Sequence, residues 1–205
     1  MLIIISGADG TGKSTIVDGL SKHLSEEGDT RTFWLRFINF SSKIINMFGR
    51  LIGKSYVERH SWGKVGYHDY DGLIGYLYIY CCYVDHLIFY PIFLFRNRRS
   101  IGSTNIHHIY DRYLLDTMAD LIVDTKKDQL VLDLFFNLVK RLQSRANLII
   151  ITCNEQTIVS RRPDIKDDKK FTLRLDAFSK ISATFKIRIL DTSSGSIEQN
   201  IESLK

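Results

Sequence analysis

Apolar and polar positions along the chain alternate between two periods, one typical of strands and the other of helices. The run Leu2–Ser6 is apolar up to its last residue, which predicts a buried strand. From Ser14 the apolar residues recur at helical spacing until Gly28, a typical helix end, and Thr32–Phe37 is predicted to be a second strand. This order of strand, helix and strand predicts a parallel βαβ unit.

The same signals continue to the end of the chain. Residues 54–72 show no periodicity, and we expect them to form a packed loop, with an aromatic-lined acceptor pocket as the alternative. The pattern as a whole predicts an α/β protein with a five-stranded parallel sheet flanked by helices. The remaining helices are predicted to begin near residues 41, 73, 130 and 196, and the remaining strands to cover 106–110, 148–153 and 186–190.

Length and charge limit the kinds of partner. With 205 residues, 44% of them apolar, the chain is long enough for one substantial core, so we expect a single domain over residues 1–205. The net charge is +5, but the basic residues are scattered among 23 acids, which favours a small phosphate-bearing ligand over nucleic acid.

Cysteine usage and the first residues indicate the compartment. The 3 cysteines have neither metal-ligand spacing nor the even number of a disulfide framework. The N-terminal apolar run is too short for the core of a signal peptide. We therefore expect a reducing, cytoplasmic location.

One segment, Tyr76–Phe95, is apolar and about as long as a membrane span. Asp85 and His86 stand in its middle and Pro91 interrupts it, and ionisable groups at the centre of a bilayer are costly. We therefore expect a buried helix whose ionisable residues face a cleft, and no membrane partner.

A phosphate-binding motif follows the first strand. The segment from Gly7 to Ser14 fits G-x-x-x-x-G-K-[ST], and it lies between a buried strand and an amphipathic helix, where this motif occurs. Its glycines allow backbone N–H groups to turn inward around the phosphates of ATP, and the start of the helix adds partial positive charge. Lys13 is predicted to reach the β- and γ-phosphates, and Ser14 to bind Mg²⁺.

The motif therefore predicts ATP and Mg²⁺ as cofactors and a three-layer fold of the P-loop NTPase type. A glycine-rich turn without a nucleotide is the alternative. The predicted cofactor contacts in the loop are Gly7, Ala8, Asp9, Gly10, Thr11, Gly12, Lys13, Ser14 and Thr15.

Asp111, Arg112 and Tyr113 follow the third predicted strand. In a parallel sheet their side chains emerge at the carboxyl edge, where the phosphate-binding loop also lies. Asp111 is predicted to hold the hydration shell of Mg²⁺, and Arg112 to bind the acceptor phosphate through its planar guanidinium group. A structural ion pair between an aspartate and an arginine is the alternative.

Arg161 and Arg162 begin the most polar stretch of the chain, at about 161–170. This stretch is predicted to be a short mobile lid, which excludes water when it closes and brings an arginine to the transferred phosphoryl group. A solvated run of charges is the alternative.

Together these features resemble the thymidylate kinase family of P-loop nucleotide kinases: a strand, the loop from Gly7 to Thr15, a later Asp-Arg-Tyr and an arginine-bearing lid. The resemblance implies that ATP phosphorylates a nucleoside monophosphate, with dTMP as the default acceptor. It also implies a homodimer packed through helices. Catalysis would then rest on positioning and charge compensation by Lys13, Arg112 and the lid arginines.

The resemblance also implies roles for single residues. Asp9 is expected to contact the acceptor sugar, Arg112 and Tyr113 to lie at the acceptor, and Asp191 and Thr192 to border the adenine. Family members carry an arginine either in the loop or in the lid. Since neither Gly10 nor Thr11 is arginine, the match is to the lid form, with Arg161 or Arg162 in that role.

The chain departs from the family at two acceptor contacts. The arginine after the second strand has Arg36 as its counterpart, and the helical arginine at the thymine is matched only by Asp85 and His86. We take these three residues as expected substrate contacts.

The acceptor is open to other interpretations. A nucleoside kinase usually carries a carboxylate just after the second strand, where this chain has Asn39. A kinase of another small phosphorylated metabolite shares all the motifs. A regulator that binds nucleotide and phosphorylates nothing is the alternative from a different functional class.

Overall fold

The computed structural model describes residues 1–35, 40–60 and 63–204. Arg36 and Asn39 lie outside this described part. The strands are β1 (Leu2–Ser6), β2 (Asp29–Trp34), β3 (Ser55–His60), β4 (Gly63–His68), β5 (Ile106–Asp111), β6 (Asn147–Thr152) and β7 (Arg188–Asp191). The helices are α1 (Lys13–Ser25), α2 (Ser42–Leu51), α3 (Gly72–Asn97), α4 (Leu114–Thr125), α5 (Asp128–Gln143), α6 (Glu155–Arg161), α7 (Phe171–Phe185) and α8 (Ile197–Glu202), with a 3₁₀ turn at Pro163–Asp167 between α6 and α7.

Five strands form a parallel sheet in the order β2-β5-β1-β6-β7. The predicted α/β fold with a five-stranded parallel sheet is thus confirmed. β1 is buried at all of its positions, because helices cover both faces of a parallel sheet. Its carboxyl end therefore lies in the middle of the sheet edge, between the ends of β5 and β6.

Two apolar layers enclose the sheet. On one face α1 and α8 pack against Ile3 and Ile5 of β1. On the other face α3, α4, α5 and α7 form the larger core around Ile4 and Phe135. The last helix, α8, begins with a capping box, since Ser196 and Gln199 exchange hydrogen bonds.

The prediction of a loop over 54–72 is wrong, because β3 and β4 pair as an antiparallel two-stranded sheet, from Ser55 opposite His68. The hairpin buries Tyr67 but leaves Tyr56 and Val57 exposed. Without one consistently buried face, the period-2 signal of a strand is weak.

α3 differs from its prediction in two ways. Pro91 does not interrupt it, and the helix continues to Asn97 although proline removes one backbone hydrogen bond. The helix is also buried on one stripe only, which includes Asp85 and His86, while Leu73, Ile88 and other outward residues are exposed. By length and composition alone, this one helix of the described part could cross a membrane, a test that core helices also pass.

Candidate functional site

The turn between β1 and α1 has the backbone geometry of an anion site. Gly7, Gly10 and Gly12 have φ angles of 150°, 84° and 85°, which side-chain-bearing residues rarely adopt. Gly12 is the N-cap of α1, and no side chain caps the helix there. The amides of the first helical turn are thus left for a ligand, and the helix dipole favours a negatively charged one.

Lys13 is folded into this turn. Its Nζ donates to the carbonyl oxygen of Ala8 at 2.6 Å and lies 3.8 Å from Asp9 Oδ1. Thr11 Oγ1 donates to the same carbonyl at 2.9 Å. Burial, and then the nearby Arg112, lower the pKa of Lys13 to about 8 in spite of the neighbouring carboxylates.

Arg112 joins the loop to α4. Its backbone has a φ angle of 74°, and its N–H donates to Ile5 O at 2.8 Å. One end of the guanidinium group pairs with Asp9, and Nη1 pairs with Asp116 Oδ1 at 2.9 Å. Burial alone would lower the pKa of Arg112, but Asp116 and Asp9 outweigh it and hold the pKa above its usual value. The aspartates that pair with Arg112 are therefore Asp9 and Asp116.

Asp111 and Ser14 fit a magnesium ion. Asp111 Oδ1 is buried and has no hydrogen-bond partner within the described residues. Asp111 ends β5 opposite Ile5 of β1, and Ser14 stands in the first turn of α1. Carboxylate and hydroxyl oxygens are ligands that Mg²⁺ accepts. The described residues hold no group of three or more His, Cys, Asp or Glu side chains that could bind a metal ion by themselves, and Mg²⁺ bound with nucleotide phosphates needs none.

α6 and the 3₁₀ turn, which include the start of the predicted lid, pack onto the loop between β1 and α1. Ile158 and Ile165 are buried, and both would touch a side chain placed at Gly10. Arg161 donates to Thr192 O at 2.9 Å and to Thr192 Oγ1 at 3.3 Å, and that hydroxyl donates to Thr11 O at 2.7 Å. Thr192 thus ties the lid arginine to the loop.

Arg162 and Asp191, which stand next to Arg161 and Thr192 in the sequence, each contact a residue two positions away. Arg162 pairs with Asp164 at 2.6 Å, at a partly exposed position. Asp191 is exposed, and its Oδ1 accepts from Ser193 N at 2.8 Å. Within the stretch 161–170 that is predicted to be a lid, Arg161 ends α6 and Pro163–Asp167 form the 3₁₀ turn. Ile165 and Asp168 are buried in this stretch, and its other side chains are at least partly exposed.

The structure gives Asp85 a different role from the predicted substrate contact. Its two oxygens accept five hydrogen bonds from the backbone and hydroxyl groups at the start of α2, namely Phe40 N, Ser41 N, Ser41 Oγ, Ser42 N and Ser42 Oγ. Burial opposes ionisation, but these donors outweigh it and keep the pKa of Asp85 below its usual value. Both oxygens are occupied, so Asp85 anchors α2 to α3 and has no acceptor left for a substrate.

His86 and Tyr113 are also core residues. Each is 1% exposed. His86 Nδ1 donates to Cys82 O at 2.8 Å, while the ring of Tyr113 stacks on Phe93 at 4.4 Å between centroids. Both rings are packed in the core, so the expectation that His86 faces a cleft is wrong. Among the described residues, His86 Nε2 and Tyr113 Oη have no hydrogen-bond partner, and the contact of Tyr113 with the acceptor stays a prediction.

The sequence did not lead us to the other charged residues around Arg112, which lie on α4 and near the start of α7. Asp116, Asp120 and Asp124 lie on one face of α4, and the last two pair with cations from α7 and the residue before it. Arg174 Nε lies 3.3 Å from Asp120, its Nη1 lies 2.5 Å from Asp168, and Lys170 lies 2.6 Å from Asp124. The spacing of four residues between the α4 aspartates was the available signal.

No family model matches this sequence, and no curated protein matches it. Among solved structures, it is similar to a deoxyadenosine kinase from M. mycoides with bound dATP. The two chains are 17% identical, the alignment covers 100% of this chain and 97% of the other, and the TM-score is 0.47. At this distance the likeness assigns no activity, and the phosphate-binding loop and the charges around it must be interpreted on their own.

Proposed function

We propose that this chain is a phosphotransferase that uses ATP and Mg²⁺ to phosphorylate a nucleoside monophosphate. The observation that supports it is the meeting of Lys13, Asp9 and Arg112 at an uncapped helix start, with Asp111 at the end of the adjacent strand. A loop that only stores a nucleotide has no need of Arg112, which follows a different strand, β5, and reaches the loop by pairing with Asp9.

The described residues divide the work of such a reaction. Lys13 and the loop amides bind the donor phosphates, Arg112 binds the acceptor phosphate, and Arg161 compensates charge on the transferred group. Ser14 and Asp111 would hold Mg²⁺, which would neutralise phosphate charge, and ATP would supply the phosphoryl group. The phosphate of a nucleoside monophosphate is already ionised near neutral pH, so the site needs no general base.

The acceptor implied by the family resemblance is dTMP, and we adopt it as the first candidate. A coupled assay of ADP release against nucleoside monophosphates and nucleosides tests the proposal. We expect release that depends on a monophosphate. Release driven only by nucleosides would make the chain a nucleoside kinase, and slow release without any acceptor would make it a nucleotide-binding regulator.

We also propose that the chain forms a homodimer through one apolar surface. The α2–α3 face consists of outward side chains that are each more than two fifths exposed: Ile44, Met47, Phe48, Leu51, Leu73, Tyr76, Leu77, Tyr80, Val84, Leu87 and Ile88. On α3 these residues recur every three or four positions, so they form one stripe along the helix. A contiguous apolar surface of this extent is typical of an interface.

Light scattering after size-exclusion chromatography tests the homodimer. We expect a dimer for the native chain and a monomer for Ile88→Asp, because a charge within the stripe would be buried in the interface without a partner. Leu173→Asp, at an apolar residue of α7 that is similarly exposed, is the matched control and should leave the dimer intact. A monomeric native chain would contradict this proposal.

A further inference from the structure

The acidic face of α4 opens to solvent at one position only. Asp116, Asp120 and Asp124 are four residues apart and so lie on one side of the helix. Their side chains are 2%, 30% and 9% exposed. The face is therefore closed at both ends and accessible in its middle, at Asp120.

The closed ends have clear causes. Asp116 is covered by Arg112, which reaches it from the end of β5. Asp124 is covered by Lys170, whose Nζ also donates to the carbonyl oxygen of His68 at the end of β4. Between these two contacts, Asp120 receives only Arg174 Nε, at 3.3 Å on Oδ1, and no partner of its Oδ2 is described.

The opening at Asp120 adjoins the phosphate-binding residues. Side chains four residues apart on a helix are about 5–6 Å apart at Cβ, so Arg112 and Arg174, which pair with Asp116 and Asp120, are neighbours along α4. Asp9 pairs with Arg112, and Asp9 and Asp120 are each about one third exposed. Asp120 thus lies one helical turn beyond Asp116, the buried carboxylate that also pairs with Arg112.

The charges around Asp120 favour a hydroxyl group over a second phosphate. Asp120 and Asp168 carry two negative charges, and Arg174 between them carries one positive charge. A second anion is therefore disfavoured at this turn of the helix. An ionised carboxylate only accepts hydrogen bonds, so a neutral donor such as a sugar hydroxyl fits.

Building on the proposed function, we propose that Asp120 accepts a hydrogen bond from a sugar hydroxyl of the nucleoside monophosphate whose phosphate lies at Arg112. Arg174 holds the carboxylate in place from the other side. Asp120 is then a specificity-determining residue for the acceptor sugar, one helical turn beyond the phosphate.

Calorimetric titration tests this with three nucleoside 5′-monophosphates that share one base and carry a 2′,3′-diol, a 3′-hydroxyl alone, or no sugar hydroxyl. We expect the native chain to bind a hydroxylated form about tenfold more tightly than the form without hydroxyls, because one charge-assisted hydrogen bond is lost. Asp120→Ala should bind all three within about twofold. Asp120→Asn keeps the shape of the side chain and removes its charge. Its preference for the hydroxylated ligands should lie between that of the native chain and that of Asp120→Ala.

Asp133→Ala on α5 is the matched control, since it removes an exposed aspartate away from this opening, and it should keep the native preference. Equal binding of all three ligands by the native chain would overturn the proposal, and so would a native preference in both Asp120 variants. If Asp120→Ala does not fold, Asp120→Asn alone decides.

Binding and turnover separate this inference from the proposed function. A hydroxyl preference in binding without ADP release would support the role of Asp120 and reject the kinase. ADP release together with equal affinities for the three nucleoside monophosphates would support the kinase and reject the role of Asp120. Failure of all three ligands to bind would reject both.

Discussion

The two sides of the candidate site are built from different parts of the chain. The proposed donor side is mainly backbone: three glycines with positive φ angles and an uncapped helix start, supplemented by Lys13. The proposed acceptor side is made of paired side chains from distant elements, such as Arg112 of the β5 edge with Asp116 of α4. Backbone geometry is local, so it can be recognised as a sequence motif, whereas the pairing depends on tertiary packing.

This contrast has a consequence for mutation. A changed residue on the donor side either removes the one buried cation or forces the backbone out of a conformation that only glycine adopts easily. A changed residue on the acceptor side leaves a charged partner behind, and its effect depends on what else that partner can reach.

The largest expected effect comes from the two cations that meet at Asp9. We expect Lys13→Ala and Arg112→Ala each to lower kcat by about 10²–10³-fold, because each removes charge compensation that the transition state needs. Steady-state ADP release measures the loss, and circular dichroism checks the fold. The exposed residues Lys22 and Arg145 are the matched controls as alanine variants. Unchanged rates in both site variants would refute these assignments.

The two lid arginines should differ. Arg161 contacts Thr192 beside the loop, whereas Arg162 pairs within the lid with Asp164. We expect Arg161→Ala to lower kcat by about 10²-fold and Arg162→Ala by about tenfold or less. The same assay compares them, and a larger loss in Arg162→Ala would reverse the assignment.

The contact between α6 and the loop between β1 and α1 can be tested through the free energy of unfolding. An alanine Cβ at Gly10 would lie 2.6 Å from Ile158 Cγ2, whereas one at Gly53 would meet nothing within 4 Å. Both residues have positive φ, so both substitutions strain the backbone, by about 1–2 kcal/mol. We expect Gly10→Ala to cost about 1–3 kcal/mol more than Gly53→Ala in denaturant unfolding, because it also overpacks. Equal costs would mean that α6 does not press on the loop.

A smaller effect is expected from pH. The pKa of Lys13 is lowered to about 8, so the ammonium group is charged below that pH and is lost above it. Affinity of the free chain for Mg·ATP should therefore fall as pH rises from 8, by up to about tenfold per unit. Lys13→Arg stays charged and should remove this dependence. A native affinity that is constant from pH 7 to 9 would contradict the assignment.

The contribution of Lys13 to folding stability changes with pH in the opposite direction to its contribution to Mg·ATP affinity. The pKa of Lys13 is lower in the folded chain than its ordinary value of 10.5, so the unfolded chain binds this proton more strongly. The contribution of Lys13 to the free energy of unfolding should therefore rise between about pH 8 and 10.5.

The features that could be predicted from the sequence are the local ones. β1, the loop from Gly7 to Thr15 and the capping box at Ser196 were predictable, because each depends on residues within a few positions. α4 was missed although Asp116, Asp120 and Asp124 recur every four residues, because ten of its 12 positions are buried and its polar face is narrow.

Longer-range contacts were beyond a local pattern. Asp85 caps α2 from more than 40 positions away, so its hydrogen bonds with Ser41 and Ser42 have no local signature. Lys170 and Arg174 likewise reach α4 from more than 40 positions away. The pairing of charges on the proposed acceptor side could therefore be recognised only from the structure.

The central claim is that the turn between β1 and α1 binds a triphosphate through its amides and Lys13. Calorimetric titration of the folded chain with Mg·ATP tests it most directly. We predict saturable binding with one site, weakened at least tenfold in Lys13→Ala, since a charge-assisted contact is lost. A folded native chain with no measurable affinity for Mg·ATP would contradict the account.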